Sequence, residues 1–234
     1  MSRRLAASRS FGALRSGSSR AKCWASSAPP APESPRWPVT LWAHSPHPSG
    51  AVRLDGSDVS VWARTSLGRY LGYLPQDIEL FADTIAANIT RFQEGEDREA
   101  ILAAQMAGVH DMIVRLPNGY DTQVGEGGAI LSGGYRQRIA LARAVYGNPS
   151  LVVLDEPSSN LDADGDAALT DCIMQLKQRG TTVVIISHRP STIGVVDKIL
   201  LLKDGVAEMF GPRAEIMSRL TRAVPVHAVQ GTAS

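Results

Sequence analysis

Two adjacent carboxylates, Asp155 and Glu156, close a run of four apolar residues, Leu151-Val152-Val153-Leu154. Such a run reads as a strand buried on both faces of a parallel sheet, and ligands of such sheets bind beyond the C-terminal ends of the strands. A carboxylate there can hold Mg2+, usually through water. Its neighbour can orient or deprotonate a water that attacks phosphorus. Read alone, the same residues are equally a strand ending in a solvated acidic turn.

Three further groups carry chemistry. Leu131-Ser132-Gly133-Gly134-Tyr135-Arg136-Gln137 opens a helix with a serine and two glycines. The first N–H groups of a helix lack intrahelical partners, glycine lets an anion come close, and the helix dipole favours negative charge there. The plain alternative is an ordinary N-cap. His188 follows the apolar stretch Thr181–Ile186 and Ser187, where it can donate to a phosphate oxygen or serve as a satisfied structural group. Gln76, in Gly72-Tyr73-Leu74-Pro75-Gln76, can ligate Mg2+ or the attacking water, or lie on the surface.

The elements that must position these groups follow from period and punctuation. Ala51–Leu54 reads as a strand entering a turn at Asp55-Gly56, and Tyr70–Leu74 as a second strand. Residues 83–117 are mostly helical in pattern, with Asp97 able to cap a start. Ser132–Tyr146 and Asp164–Gln178 are helices, and Leu151–Leu154 and Thr181–Ile186 are wholly apolar strands. Lys198–Leu202 and Val206–Phe210 form a hairpin around Asp204-Gly205, and a last helix spans Pro212–Leu220 with proline in its first turn. Alternating apolar strands and helices predict an α/β fold with a parallel sheet covered on both faces.

The order Gln76, L-S-G-G at 131–134, L-V-V-L-D-E at 151–156, S-N-L-D at 159–162 and His188 resembles the ATP-binding cassette of ABC transporters. The likeness runs from about Val52 to Leu220, and the signature and the Walker B strand, 20 residues apart, are its most specific part. The resemblance implies a P-loop-NTPase-like parallel-sheet core, a helical subdomain over about 77–146 and a truncated N-terminal antiparallel part. It implies ATP and Mg2+ as cofactors. Gln76 takes the place of the Q-loop glutamine, at the metal and toward the membrane domain. Ser132, Gly133 and Gly134 stand as the signature that contacts the γ-phosphate held by the opposite subunit. Asp155 stands as the Walker B aspartate at the metal, Glu156 as the catalytic base, Asp162 as the D-loop aspartate and His188 as the switch histidine. Tyr135 departs from the glutamine usual at that signature position.

Val124-Gly125-Glu126-Gly127-Gly128 resembles the segment with which exporters touch their membrane domain. With L-A-R-A-V-Y-G-N-P and E-P-S-S-N-L-D, it is most similar to the ATPases of bacterial type I secretion exporters for proteases and related proteins. The implied partners are a second ATP-binding domain, paired head to tail, and a transmembrane export domain; no nucleic acid is implied. The implied place is the cytoplasmic face of a bacterial inner membrane. Soluble ABC ATPases of repair or translation fit less well, because Gly125–Gly128 and S-N-L-D are exporter-like.

Composition sets the first 50 residues apart. They hold seven Arg or Lys against one acid, Glu33, for a charge of +6, while the other 184 residues sum to −5. Three of four Trp and seven of 14 Pro fall there too. Two cysteines, Cys23 and Cys172, provide neither a disulfide framework nor a metal spacing, which suits a reducing compartment. No apolar run approaches the ~20 residues that cross a bilayer. The organisation expected is an aberrant or disordered segment over 1–49, the cassette over 50–220 and a tail over 221–234.

The cassette family also needs G-x-x-x-x-G-K-S/T upstream of Val52, whose N–H groups cradle phosphates and whose lysine reaches the β/γ oxygens. The four lysines are Lys22, Lys177, Lys198 and Lys203, and none follows a glycine. Residues 1–48 read in three ways: a disordered extension, a mitochondrial transit peptide carried by the Arg- and Ser-rich, acid-free residues 1–23, or a translation out of frame. In the frame one base earlier, Trp24 before Ala25 forces a glycine codon, and so does Trp42 before Ala43. Between them, the codons overlapping Ala28 to Pro35 permit G-P-S-G-A-G-K-S, with the lysine codon 16 positions before Gly50. The third reading is the one adopted for residues from about 18 to 48.

Overall fold

The computed structural model describes residues 23–27, 53–54, 57–58, 61, 63–93, 97–203 and 206–223. Its centre is a six-stranded sheet. The strands in chain order are β1 (Cys23–Ser27), β4 (Leu71–Leu74), β5 (Leu151–Asp155), β6 (Thr182–Ile186), β7 (Lys198–Lys203) and β8 (Val206–Pro212). In space they run β4-β5-β6-β1-β7-β8, parallel throughout except for the β7/β8 hairpin. A separate two-stranded antiparallel piece pairs β2 (Arg53–Leu54) with β3 (Ser57–Asp58). The expected turns at Asp55-Gly56 and Asp204-Gly205 lie outside the described residues.

The apolar runs become strands because each feeds two cores at once. In β5, Val152 and Leu154 enter the larger core, with Val183 and Ile185 of β6 and Ile139, Ile173 and Leu176 of the covering helices. Leu151 and Val153 point the other way, into a smaller core with Leu67, Leu71 and Ile186. Each fully buried aliphatic side chain contributes roughly 1.5–3 kcal/mol, so a strand used on both faces is firmly placed. The expected covering on both faces is thus present.

Helices Ile85–Thr90, Asp97–Met106, His110–Val114 and Gly133–Val145 lie between β4 and β5 in the chain. The side chain of Thr84 caps the first by accepting from the Ala87 N–H at 3.0 Å. The last packs against β4 so closely that a Cβ on Gly72 would run into the Ala144 carbonyl. Arg91, with φ 58°, ends Ile85–Thr90 and turns its guanidinium into the same joint. It donates to the carbonyls of Gly68 (2.6 Å), Leu71 (3.2 Å), Arg143 (3.0 Å) and Ala144 (3.2 Å). Two of these are carbonyls that the end of the Gly133–Val145 helix leaves free, so one cation closes that terminus. Burial lowers the guanidinium pKa from its ordinary value, and the carbonyl oxygens compensate the charge.

Three expectations are corrected. Tyr70 closes a helix, Arg64–Tyr70, and the strand begins at Leu71. That helix has only seven residues with Gly68 inside, too short for its period to be read. Pro212 closes β8, opposite Lys198, and the last helix is Arg213–Ala223. β8 is an edge strand, where a missing N–H costs no ladder bond. Lastly, Cys23–Ser27 shows no strand period, yet it lies in the sheet between β6 and β7, paired with both.

Candidate functional site

β5 and β6 pair in register, so Asp155 lies opposite Ile186 at the C-terminal edge of the sheet. Glu156 then turns sharply into a left-handed backbone, φ 44°, and its N–H donates to the Ile186 carbonyl at 2.9 Å. A non-glycine residue held there costs on the order of 1–3 kcal/mol and persists only where surroundings fix it. The turn aims the Glu156 carboxylate at His188, whose Nδ1 donates to Oε1 at 2.9 Å. Glu156 is largely buried, with 19% of its side chain exposed, whereas His188 is 71% exposed. The bond fixes the ring tautomer. With Nδ1–H committed to Glu156, Nε2 faces outward as an acceptor and becomes a donor when the ring is protonated.

Asp155 behaves differently from its neighbour. Burial, then the charges of Glu156 and Asp77, push its carboxyl up to about 6. Asp77 follows Gln76, just past the end of β4, so the Gln76-Asp77 turn leaves the same sheet edge as Asp155. Gln76 is exposed. A carboxyl raised by burial and by neighbouring negative charge is a place where a cation relieves repulsion. Among the described residues, no group of three or more His, Cys, Asp or Glu side chains could hold a metal by itself. Asp155 and Gln76 would therefore supply part of an oxygen shell, with water and ligand oxygens completing it, which is how Mg2+ is ordinarily held.

The second group forms around the start of the helix Gly133–Val145. Ser132 caps it, its Oγ accepting from the Tyr135 N–H at 3.4 Å. Gly133 and Gly134 lie against Asn160, and a Cβ on Gly134 would stand 3.4 Å from the Asn160 carbonyl. Asp162 caps the helix Ala163–Gln178 by accepting from the Gly165 N–H at 2.8 Å, and also accepts from Arg138 at 2.9 Å. These contacts hold its carboxyl below the usual range, the Gly165 N–H first. Ser132, Gly134, Tyr135, Arg138, Asn160 and Asp162, with Met112, line a shallow cavity of about 250 Å3.

The sequence-derived residues thus fall into two clusters in this chain. Asp155, Glu156 and His188 share the β5/β6 edge, and Gln76 follows the end of the adjacent strand β4. Ser132, Gly134 and Asp162 share the cavity, and Gly133 lies beside it against Asn160. Four contributors carried no assignment in the sequence: Gln137, Arg138, Asn160 and Asp77. The first three stand in or beside the motif stretches, and that adjacency was the only available signal. Among the described residues, no helix is long and apolar enough to cross a membrane.

Comparison with known proteins bears on this arrangement. A family model described as ABC transporter matches residues 40–159. The chain is 53% identical over 174 residues, 74% of its length, to "Type I secretion system ATP-binding protein PrsD" of Rhizobium meliloti, of which it spans 30%. It is 43% identical over 173 residues to human "ATP-binding cassette sub-family B member 6", covering 73% of this chain and 20% of that one. An "ATP-dependent lipid A-core flippase" of Chromohalobacter salexigens is 40% identical over 182 residues, 77% of this chain and 31% of the flippase. A solved structure, "Structure of a bacterial Atm1-family ABC exporter with ATP bound", superposes with a TM-score of 0.76 at 34% identity, covering 85% of this chain and 35% of that one. The chain therefore spans about a third or less of the relatives it matches.

Proposed function

From the premise that this chain belongs to the ABC transporter family, as an exporter-type ATP-binding domain, we propose that it represents the cassette that energises transmembrane export, in the type I protein-secretion branch. The observation that carries the catalytic part is the Glu156–His188 contact at the β5/β6 edge. When bound, ATP supplies the phosphoanhydride to be cleaved, and Mg2+ neutralises its oxygens near Asp155 and Gln76. Glu156 orients a water for in-line attack on the γ-phosphorus and accepts its proton. His188, held by Glu156 at Nδ1, is placed to contact a γ-phosphate oxygen through Nε2. Ser132, Gly133 and Gly134 present N–H and hydroxyl groups to the γ-phosphate of a second domain paired head to tail, with Asp162 at the same seam. The secretion branch is supported by the 53% identity to the Rhizobium meliloti protein. Other exporters match at 40–43%, so the family is broader than that branch. A transmembrane partner and a place at the cytoplasmic face of the membrane follow from the same likeness.

A second reading concerns this polypeptide's own activity: it does not hydrolyse ATP by itself, because the phosphate loop is interrupted by a change of reading frame. One observation favours it. β1 runs parallel to β6, Ser26 opposite Ile186, so its C-terminal end lies at the edge that carries Glu156 and His188. The residues that follow in the chain, 28–35, are Ala-Pro-Pro-Ala-Pro-Glu-Ser-Pro, with no glycine or lysine, and their four prolines have no N–H to offer a phosphate. They are the same eight positions at which the shifted frame permits G-P-S-G-A-G-K-S. Calorimetric titration of the purified chain with Mg·ATP tests both readings. Affinity far below that of an intact cassette, restored by grafting that octapeptide over 28–35, supports the interrupted loop; tight binding with turnover in the chain as it stands overturns it. Sequencing the gene settles the frame.

A further inference from the structure

Gln137 bonds to residues adjoining both clusters, Pro157 beside Glu156 and Asn160 in the signature cavity. It lies on the first turns of the helix Gly133–Val145 and is 1% exposed. Its Nε2 donates to the Pro157 carbonyl at 2.7 Å, and its Oε1 accepts from Asn160 Nδ2 at 3.2 Å. Both partners are chemically telling. Pro157 directly follows Glu156 and has no N–H, so its carbonyl is its only backbone hydrogen-bonding group. Asn160 is the residue against which Gly133 and Gly134 pack. The left-handed Glu156 is thus gripped from two sides, at its own N–H by Ile186 and at the next carbonyl by Gln137. Both partners lie on the stretch that follows β5, while Gln137 itself stands on the helix that Ser132 opens, so this buried amide ties that helix to the turn through Glu156.

We propose that Gln137 is a positioning residue that locks the Glu156 turn to the signature turn within one subunit, so that the carboxylate aimed at His188 and the anion-facing glycines keep a fixed relation. This rests on Glu156 being the base. It extends that reading by naming the side chain that holds the base and the direction from which it is held. The alternative is a buried amide that merely fills its space.

Two variants separate these. Gln137→Met keeps length and volume but neither bond. Gln137→Glu keeps both bonds when protonated, its OH donating to Pro157 and its carbonyl oxygen accepting from Asn160. When ionised it can no longer donate. In Gln137→Met, amide exchange at Glu156 and at Gly133 or Gly134 should rise about 5–10-fold together, the weight of one or two hydrogen bonds. The 15N resonance of His188 Nδ1 should lose its hydrogen-bonded position. Exchange at Leu154 and Ile185 should stay unchanged. Gln137→Glu should match the parent at low pH; at high pH it loses the Pro157 bond and keeps the Asn160 bond, so exchange at Glu156 should rise as in Gln137→Met while Gly133 and Gly134 change less. The proposal is overturned if Gln137→Met leaves Glu156 and His188 as in the parent. It is equally overturned if protection falls evenly across the whole sheet in both variants at every pH. The spectra are recorded on the full chain without nucleotide, so they decide the role of Gln137 whether or not the chain turns over ATP.

Discussion

β5 and β1 are both interior strands of one parallel sheet, each hydrogen-bonded on two sides. Leu151–Asp155 is apolar until its last residue, fills cores on both faces and ends in a turn that Ile186, His188 and Gln137 hold from different directions. Cys23–Ser27 has the same length and a matching register with β6, but it closes on two serines and is followed by a proline-rich stretch. Backbone pairing accepts any five residues that can extend. Catalysis accepts only a strand whose exit delivers the right groups. Two parallel strands thus end at one edge, and on the proposed reading the residues for phosphoryl transfer follow β5.

The largest effect should come from asking the β5 exit to work with a repaired β1 exit. In a chain with G-P-S-G-A-G-K-S over 28–35, Glu156→Gln should lower ATP turnover by about 10^2–10^4-fold, the usual weight of a positioned general base. Phosphate release would measure it, and equal turnover in both forms would detach Glu156 from the chemistry. Next, Leu154→Ala should cost about 2–5 kcal/mol in urea unfolding, since Leu154 is fully buried within β5. A loss below 1 kcal/mol would mean that β5 is no better anchored than its residue types alone require.

A smaller effect concerns Asp155. Its carboxyl is pushed up to about 6 from an ordinary 3.8, so the folded state holds the proton more tightly than the unfolded chain. Stability from this group is fully present below pH 4 and is lost as pH rises through about 6, with no further change above. Asp155→Asn should remove that slope and raise stability at pH 7 by on the order of 1 kcal/mol, after allowance for solvent screening of a half-buried group. Thermal unfolding at pH 4.5 and 7 would show it, and parallel curves for parent and variant would contradict it. The smallest effect belongs to β1. Ser26→Val should stabilise by up to about 1 kcal/mol, because a β-branched residue suits an interior strand. A loss of stability would show that β1 suits its slot better than its residues suggest.

The contiguous parts of the site were legible in the sequence. L-V-V-L-D-E announces both a two-faced strand and its acidic end, and L-S-G-G announces a helix start capped by Ser132. What escaped was set by tertiary contact. Gln137 and Arg138 are ordinary helix residues until Pro157 and Asp162 are brought against them. Nothing around Arg91 marks it as the cap of another helix more than fifty residues away. The short helix Arg64–Tyr70 has too few turns to show a period. β1 has no pattern of its own and owes its place to the two strands beside it.

The left-handed backbone at Glu156 has a consequence for how this sequence changes over generations. Glycine or asparagine would sit there with less strain, so relief of the backbone and loss of the base lie one substitution apart. Copies that only have to persist drift toward the relaxed residue, whereas copies that must spend ATP keep the strained one. If Glu156 is the base, position 156 gauges use among copies of this gene: relaxation of its backbone to glycine or asparagine would end hydrolysis at this site.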